Sequence, residues 1–199
     1  MTAAPLEIAF DSGPLYGHRT GVGVAVDGMI RSLRERRDVE IVPYLVSFRS
    51  DAAEGHRKLP LPGIVASHLW SRTDLPRADR RLGHPDVVHG TNYVAPPTSL
   101  PTVVSVYDCW FLAHPDLASP LVQRAGATLR RRVAAGAWIH TSSEATADRA
   151  RELLGTERVR TVLLGVPTGG EVDPRRPTRA DCLDGRPFVV SIATEERRK

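Results

Sequence analysis

The sequence predicts a doubly wound α/β fold, a mostly parallel sheet with helices on both faces. Three observations lead there. Short apolar runs recur along the chain and stop abruptly at polar or aromatic groups, as in PDVVHGTNYVAPP (85–97) and VVSVYDCWFLAHPD (103–116). Such runs have the pattern of fully buried parallel strands. Segments with a helical apolar period lie between the strands, and strand, helix, strand in that order implies right-handed parallel crossovers. Ligands of open parallel sheets bind at the carboxyl ends of the strands. His89, Asn92 and Tyr93 at the end of one run, and Tyr107, Asp108 and Trp110 at the end of the other, therefore stand where chemistry is done.

The elements follow in order. LEIAF (6–10) is the first strand, and a polar, glycine-rich loop runs from Asp11 to Gly23. A helix is expected over 24–36, with Val26, Met29, Ile30 and Leu33 on one face. VEIVPYLV (39–46) is the second strand. Residues 48–83 mix arginine, proline and short apolar pieces, and read as irregular with one short helix. DVVHG and TVVSVYD add two strands. A helix over 119–135 would bury Val122, Ala125, Leu129 and Val133, with Arg124 and Arg131 opposite. WIHTSS (138–143) is a strand, and Ser143 can cap a helix that runs to Leu154 and ends at Gly155. VRTVLLG is a further strand. Residues 166–187 are rich in Gly, Pro, Asp and Arg and read as a linker, after which FVVSIAT (188–194) opens a new strand.

Composition narrows the function classes. A chain of 199 residues can bury a substantial core. The formal net charge of +4 is compatible with phosphate-bearing partners or an anionic membrane surface. No segment is long enough to span a bilayer. Cys109 and Cys182 are far apart and match no metal spacing, so neither a disulfide framework nor a metal is expected. The first residues lack the basic and apolar regions of an export leader. A reducing cytoplasm is the expected location, with peripheral contact to the inner face of the membrane through the arginine-bearing helix 119–135 as a further option.

Several motifs admit a functional and a plainer reading. In TGVG (20–23), glycines let a ligand approach the backbone, and the helix start favours an anion. The plainer reading is a turn that needs glycine for its backbone angles; both stand at this point. A dinucleotide fingerprint fails, because Val26 occupies the third glycine position and the strand ending PYLV offers no carboxylate for a ribose. Glu144, Asp148 and Glu152 fall opposite Ala147, Ala150 and Leu154, as on a solvated helix face. The arginines at 34, 36, 37 and 130–132 have no aromatic interleaving or reading helix beside them, so they read as solvated surface and no nucleic acid is expected.

In this order and spacing, four segments resemble the N-terminal domain of family 4 glycosyltransferases. TGVGVAVDGMI is similar to the family's glycine-rich loop and helix, and DVVHGTNYVAPP to its Asp-Val-Val-His segment. VVSVYDCWFLAHPD is similar to the segment ending in His-Asp and then His-Pro-Glu or His-Pro-Asp. HTSSEATADRARELLG with VRTVLLGVP is similar to the capped helix and strand that lead toward a second domain. Tyr107 stands where the family has a histidine beside the transferred sugar, Val24 where an arginine is frequent, and Ala193 where a glycine is usual.

The resemblance implies a retaining enzyme of the GT-B architecture, built from two facing Rossmann-like domains. Residues 1–165 would be the acceptor-side domain, 166–187 the linker, and 188–199 the first strand of a nucleotide-sugar-binding C-terminal domain that is otherwise missing from a truncated chain. Tyr107 and Asp108 would flank the reacting sugar as the catalytic candidates. Gly21, Val22 and Gly23, with Arg198 and Lys199, would bind the donor diphosphate. His89, Asn92, Tyr93 and Trp110 would line the acceptor cleft. The implied partners are a nucleotide-sugar donor and a glycan, lipid-linked or small-molecule acceptor, with no cofactor and no metal. The implied activity is hexosyl transfer to a hydroxyl with retention, inactive in this fragment alone. The alternative is a non-catalytic module that binds glycan, lipid or nucleotide.

Overall fold

The computed structural model describes residues 4–18, 20–48, 53–165, 187 and 189. The fold lies within the compact unit Met1–Gly165. The linker and the strand expected over 166–199, with Arg198 and Lys199, lie outside the described residues.

Seven parallel strands form one sheet among the described residues: β1 (Leu6–Asp11), β2 (Val39–Val46), β3 (Arg57–Leu59), β4 (Val87–Gly90), β5 (Thr102–Val106), β6 (Trp138–Thr141) and β7 (Val159–Thr161). Their order is β3-β2-β1-β4-β5-β6-β7. The helices are α1 (Gly21–Arg34), α2 (Gly63–Trp70), α3 (Asp79–Leu82), α4 (Trp110–Ala113), α5 (Pro120–Ala134) and α6 (Glu144–Leu154). This is the doubly wound, Rossmann-like α/β fold that the sequence predicts.

The order of the strands explains the layers. From β1 the chain crosses leftward to β2, and from β4 it steps rightward through β5 and β6 to β7. A right-handed crossover places its helix on opposite faces for opposite directions of travel. The alternating side chains agree. Ile8 and Phe10 of β1 pack with Val22, Val26 and Ile30 of α1. Ala9 and Val88, one residue out of phase, pack with Ala66 and Trp70 of α2 and Leu82 of α3. Val104, Val106 and Ile139 pack on that second face with Phe111, Leu129, Ala147 and Ala150 of α4, α5 and α6. Each fully buried apolar side chain of this size contributes about 1.5–3 kcal/mol.

Caps set the helix ends as polar chemistry requires. Ser119 accepts from the Val122 N–H and Ser143 from the Thr146 N–H, while Gly155 closes α6 in the left-handed region at φ 62°. Glu144, Asp148 and Glu152 are exposed opposite buried Ala147 and Ala150, and Arg149 and Arg151 pair with Glu152 and Asp148.

Four expectations need correction. Helix α1 begins at Gly21 rather than Val24, because Thr20 caps it through its side chain. The described residues of 48–83 hold a strand and two helices, β3, α2 and α3, rather than one short helix. Their short lengths and scattered prolines hide any period, and burial against β2 and α5 supplies their order. The arginines 130–132 are not all solvated, nor is Val122 buried: Val122 is exposed, whereas Arg132 is 3% exposed and bonded to Asp74, which also pairs with Arg131. A guanidinium on the inner face of α5 is indistinguishable in sequence from a surface one.

Two substitution pairs test these contacts. A Cβ on Gly90 would lie 2.1 Å from the Val94 carbonyl oxygen, whereas on Gly28 it would meet nothing within 4 Å. Gly90→Ala should destabilise by about 2–3 kcal/mol or more, and Gly28→Ala should stabilise by up to about 1 kcal/mol, both read from urea melts. Asp74→Ala strands a buried cation and should cost about 3 kcal/mol. Asp38→Ala, which loses only the exposed partner of Arg36, should leave the urea midpoint essentially unchanged.

Candidate active site

In an open parallel sheet, neighbouring strands whose connections leave in opposite directions open a crevice at their carboxyl ends. Here those strands are β1 and β4, paired Ile8 to Val87, Ala9 to Val88 and Phe10 to His89. The loops after β1, β4 and β5 therefore meet at one edge.

Asp11 ends β1 on the rim of this crevice. Its Oδ1 accepts the Gly13 N–H at 2.9 Å, and its main-chain carbonyl accepts the Thr91 hydroxyl at 2.9 Å. Burial drives the Asp11 carboxyl up to about 6, against hydrogen bonds from Gly13 and Thr91 that favour the anion. Its charge also raises Tyr107 and Tyr44, although burial is the larger cause in each. The sequence reading missed Asp11 and Thr91. The available signal was a carboxylate directly after the first strand.

The loop after β4 turns back sharply. Tyr93 takes a left-handed φ of 62°, uncommon for a bulky residue, and is held there at both ends. Its N–H donates to the Ser105 carbonyl at 3.0 Å, and its hydroxyl donates to Asp108 Oδ2 at 3.1 Å. The ring meets Phe111 edge-on at 5.0 Å and Tyr107 at 6.2 Å. Asp108 Oδ1 accepts the Trp110 N–H at 3.0 Å. Both oxygens of Asp108 thus clamp the loops after β4 and β5 together.

Tyr107 differs from its neighbours. Its hydroxyl is buried and lacks a hydrogen-bond partner. Ser105 lies beside it and pulls its titration down, but the Ser105 hydroxyl is already engaged by His89 at 2.8 Å and His140 at 2.8 Å. An unsatisfied buried hydroxyl costs about 1–3 kcal/mol, so Tyr107 carries an unused donor at the end of β5.

The other candidates divide. His89 is in β4, edge-on to Phe10 at 4.7 Å. Asn92 is exposed between Thr91 and Tyr93. Trp110 starts α4 and stacks at a tilt on His114 at 5.6 Å. Gly21 and Gly23 do not have positive φ, so the turn reading of TGVG fails. Thr20 Oγ1 accepts from Gly23 N–H at 3.4 Å, which removes that group from any anion site. Among the described residues, the N–H groups of Gly21 and Val22 meet no acceptor. Tyr16 and Ser12 both reach His56 Nδ1, at 3.1 and 3.4 Å, tying the loop after β1 to the one after β2. Cys109 is buried, and burial pushes its thiol up to about 11, which disfavours the thiolate. No group of three or more metal-ligating side chains occurs among the described residues.

The arrangement offers a ligand neutral donors and acceptors, one buried carboxyl and an open helix start. The family model for Glycosyltransferase Family 4 matches residues 19–169. No curated relative matches the chain.

Asp11 imposes a pH dependence of known sign. Its folded value of about 6 exceeds its ordinary 3.8, so the folded protein holds this proton more tightly than the unfolded chain. The contribution is fully present below 3.8 and is lost as pH rises to about 6, by roughly 1.4 kcal/mol per pH unit. Asp11→Asn keeps an acceptor for the Gly13 N–H and should abolish this fall. Melting temperature against pH for both proteins checks it.

Proposed function

Since the chain belongs to glycosyltransferase family 4, we propose that it forms the acceptor-side domain of a retaining enzyme that moves a hexosyl group from a nucleotide-sugar to a hydroxyl. The observation that carries this reading is the crevice between β1 and β4, with the unpartnered Tyr107 hydroxyl beside Asp11, Tyr93 and Asp108. A sugar presents hydroxyls, and each hydroxyl both donates and accepts. Tyr107 supplies a donor to the transferred sugar where the family uses histidine. Asp108 orients Tyr93 and the start of α4 rather than attacking, because both its oxygens hold the loops.

The open N–H groups of Gly21 and Val22 at the start of α1 suit the leaving diphosphate as its charge develops. The nucleotide itself is held by a second domain, and Arg198 and Lys199 would add cationic contacts to the diphosphate. Neither cofactor nor metal is needed in this scheme. For a lipid-linked acceptor the fitting surface is the α2/α5 pair. Ile64, Val65, Leu117 and Leu121 are exposed there, Arg124 and Arg130 lie along α5, and neither helix carries an acid. That combination suits the inner face of an anionic membrane.

The test is donor-dependent transfer. Nucleotide-sugars are offered with sugar and lipid acceptors, and the anomeric configuration of the product is read by NMR. The 199-residue polypeptide alone should give no turnover, and joining it to a nucleotide-binding second domain should restore it. In the active protein, Tyr107→Phe should lower kcat/KM by about 10- to 100-fold. An inverted product, or turnover by the isolated chain, overturns the reading.

A further inference from the structure

The sheet face that carries α1 continues beyond that helix across β4, β5 and β6. Three polar side chains cross it in one hydrogen-bonded line, one from each strand. His140 Nε2 lies 3.2 Å from the Val162 carbonyl oxygen, His140 Nδ1 lies 2.8 Å from Ser105 Oγ, and Ser105 Oγ lies 2.8 Å from His89 Nε2. The sequence reading singled out His89 but neither Ser105 nor His140.

Proton counting fixes the direction of the line. A carbonyl only accepts, so His140 Nε2 carries a proton. A neutral imidazole carries one, so His140 Nδ1 must accept from the Ser105 hydroxyl. That hydroxyl has no second proton, so Ser105 Oγ accepts from His89, and His89 carries its proton on Nε2. His89 Nδ1 is left with a lone pair. It has no protein partner among the described residues, and His89 as a whole is half-buried rather than sealed off. Neutrality of both rings is consistent with their surroundings. Burial lowers His89 to about 3, with His140 adding to it, and burial lowers His140 against the opposing Val162 carbonyl.

We propose that this line is a tautomer lock: the Val162 carbonyl, acting through His140 and Ser105, holds His89 as a neutral acceptor whose Nδ1 accepts a hydrogen bond from a sugar hydroxyl in the crevice. Tyr107, two residues beyond Ser105, supplies the complementary donor. The pair discriminates by polarity. A lone pair at Nδ1 accepts from a hydroxyl and repels a phosphate oxygen, so this wall of the crevice takes sugar and leaves the diphosphate to the start of α1. Protonation of His140 would reverse the line and turn Nδ1 into a donor. The ligand class rests on the glycosyl-transfer reading; the lock does not. Ser105 and His140 are positioning residues. The other titratable groups around the line are Tyr107, Tyr44, whose hydroxyl donates to the His89 carbonyl at 3.5 Å, and Asp11, which follows Phe10. Helix α1 meets this face with apolar Val22, Val26 and Ile30.

Imidazole nitrogen NMR on the ¹⁵N-labelled 199-residue chain tests it. His89 should show a protonated Nε2 and a bare Nδ1, unchanged from neutral pH to about 5, well below the ordinary histidine value. Ser105→Ala should mix the tautomers and move the His89 titration toward the ordinary value, and Ser105→Thr should restore the lock. If Ser105→Ala fails to fold, His140→Phe breaks the same line from its other end, with the amide spectrum confirming the fold. Methyl α-glucopyranoside and methyl α-mannopyranoside should shift His89 Nδ1 in the unaltered chain and not in Ser105→Ala, while inorganic phosphate should not. A His89 protonated on Nδ1, a tautomer indifferent to Ser105 and His140, or an Nδ1 that ignores both glycosides overturns the proposal. A locked Nδ1 that responds to the glycosides upholds it even where no sugar transfer is found, and then only the transfer reading falls.

Discussion

The pairing of β1 with β4 is the constraint on which the site depends. Parallel hydrogen bonds bring Phe10 beside His89, so the chain after β1 and the chain after β4 emerge side by side. Because all the described strands run parallel, their polar ends share one edge of the sheet. Gly90 then lets the backbone turn back against Val94 with no room for a side chain. That turn brings Thr91 to the Asp11 carbonyl and Tyr93 to the Ser105 carbonyl. One loop thus links the end of β1 to the end of β5, and the crevice has a floor.

Burial shifts both titrating groups of the crevice toward their neutral forms. Desolvation keeps the proton on Asp11 to an unusually high pH and keeps it off His89 to an unusually low one. Both shifts remove charge from the wall that a ligand would touch. The outer surface behaves differently, with ion pairs such as Arg31 with Asp27 and Arg151 with Asp148 lying open to solvent. A neutral wall with donors and acceptors of fixed direction suits hydroxyl groups, and the open helix start suits an anion. This division of chemistry is the one that the proposed glycosyl transfer calls for.

Much of this was legible in the sequence because it depends on local rules. The strands at 39–46 and 87–90, the capped helices α5 and α6 and the stop at Gly155 follow from apolar runs, Ser caps and a glycine in the left-handed region. Polar residues directly after strands lie together at the carboxyl edge of the parallel sheet, and Tyr107 stood out as a tyrosine where the family carries histidine. Residues 48–83 were not legible, because β3 and α2 are too short for periodicity and take their order from packing on β2 and α5.

The sequence by itself determined the class of fold, the parallel crossovers and most element ends, since each depends on contacts within a few residues. Tertiary structure decided which polar groups meet. Asp11 and Thr91 are 80 residues apart, and Ser105 and His140 are 35 apart. Only strand register brings such pairs within hydrogen-bond distance, and only burial then turns a serine and two histidines into a line of fixed polarity. No local pattern records either, because a residue's desolvation depends on the neighbours that the whole sheet places around it.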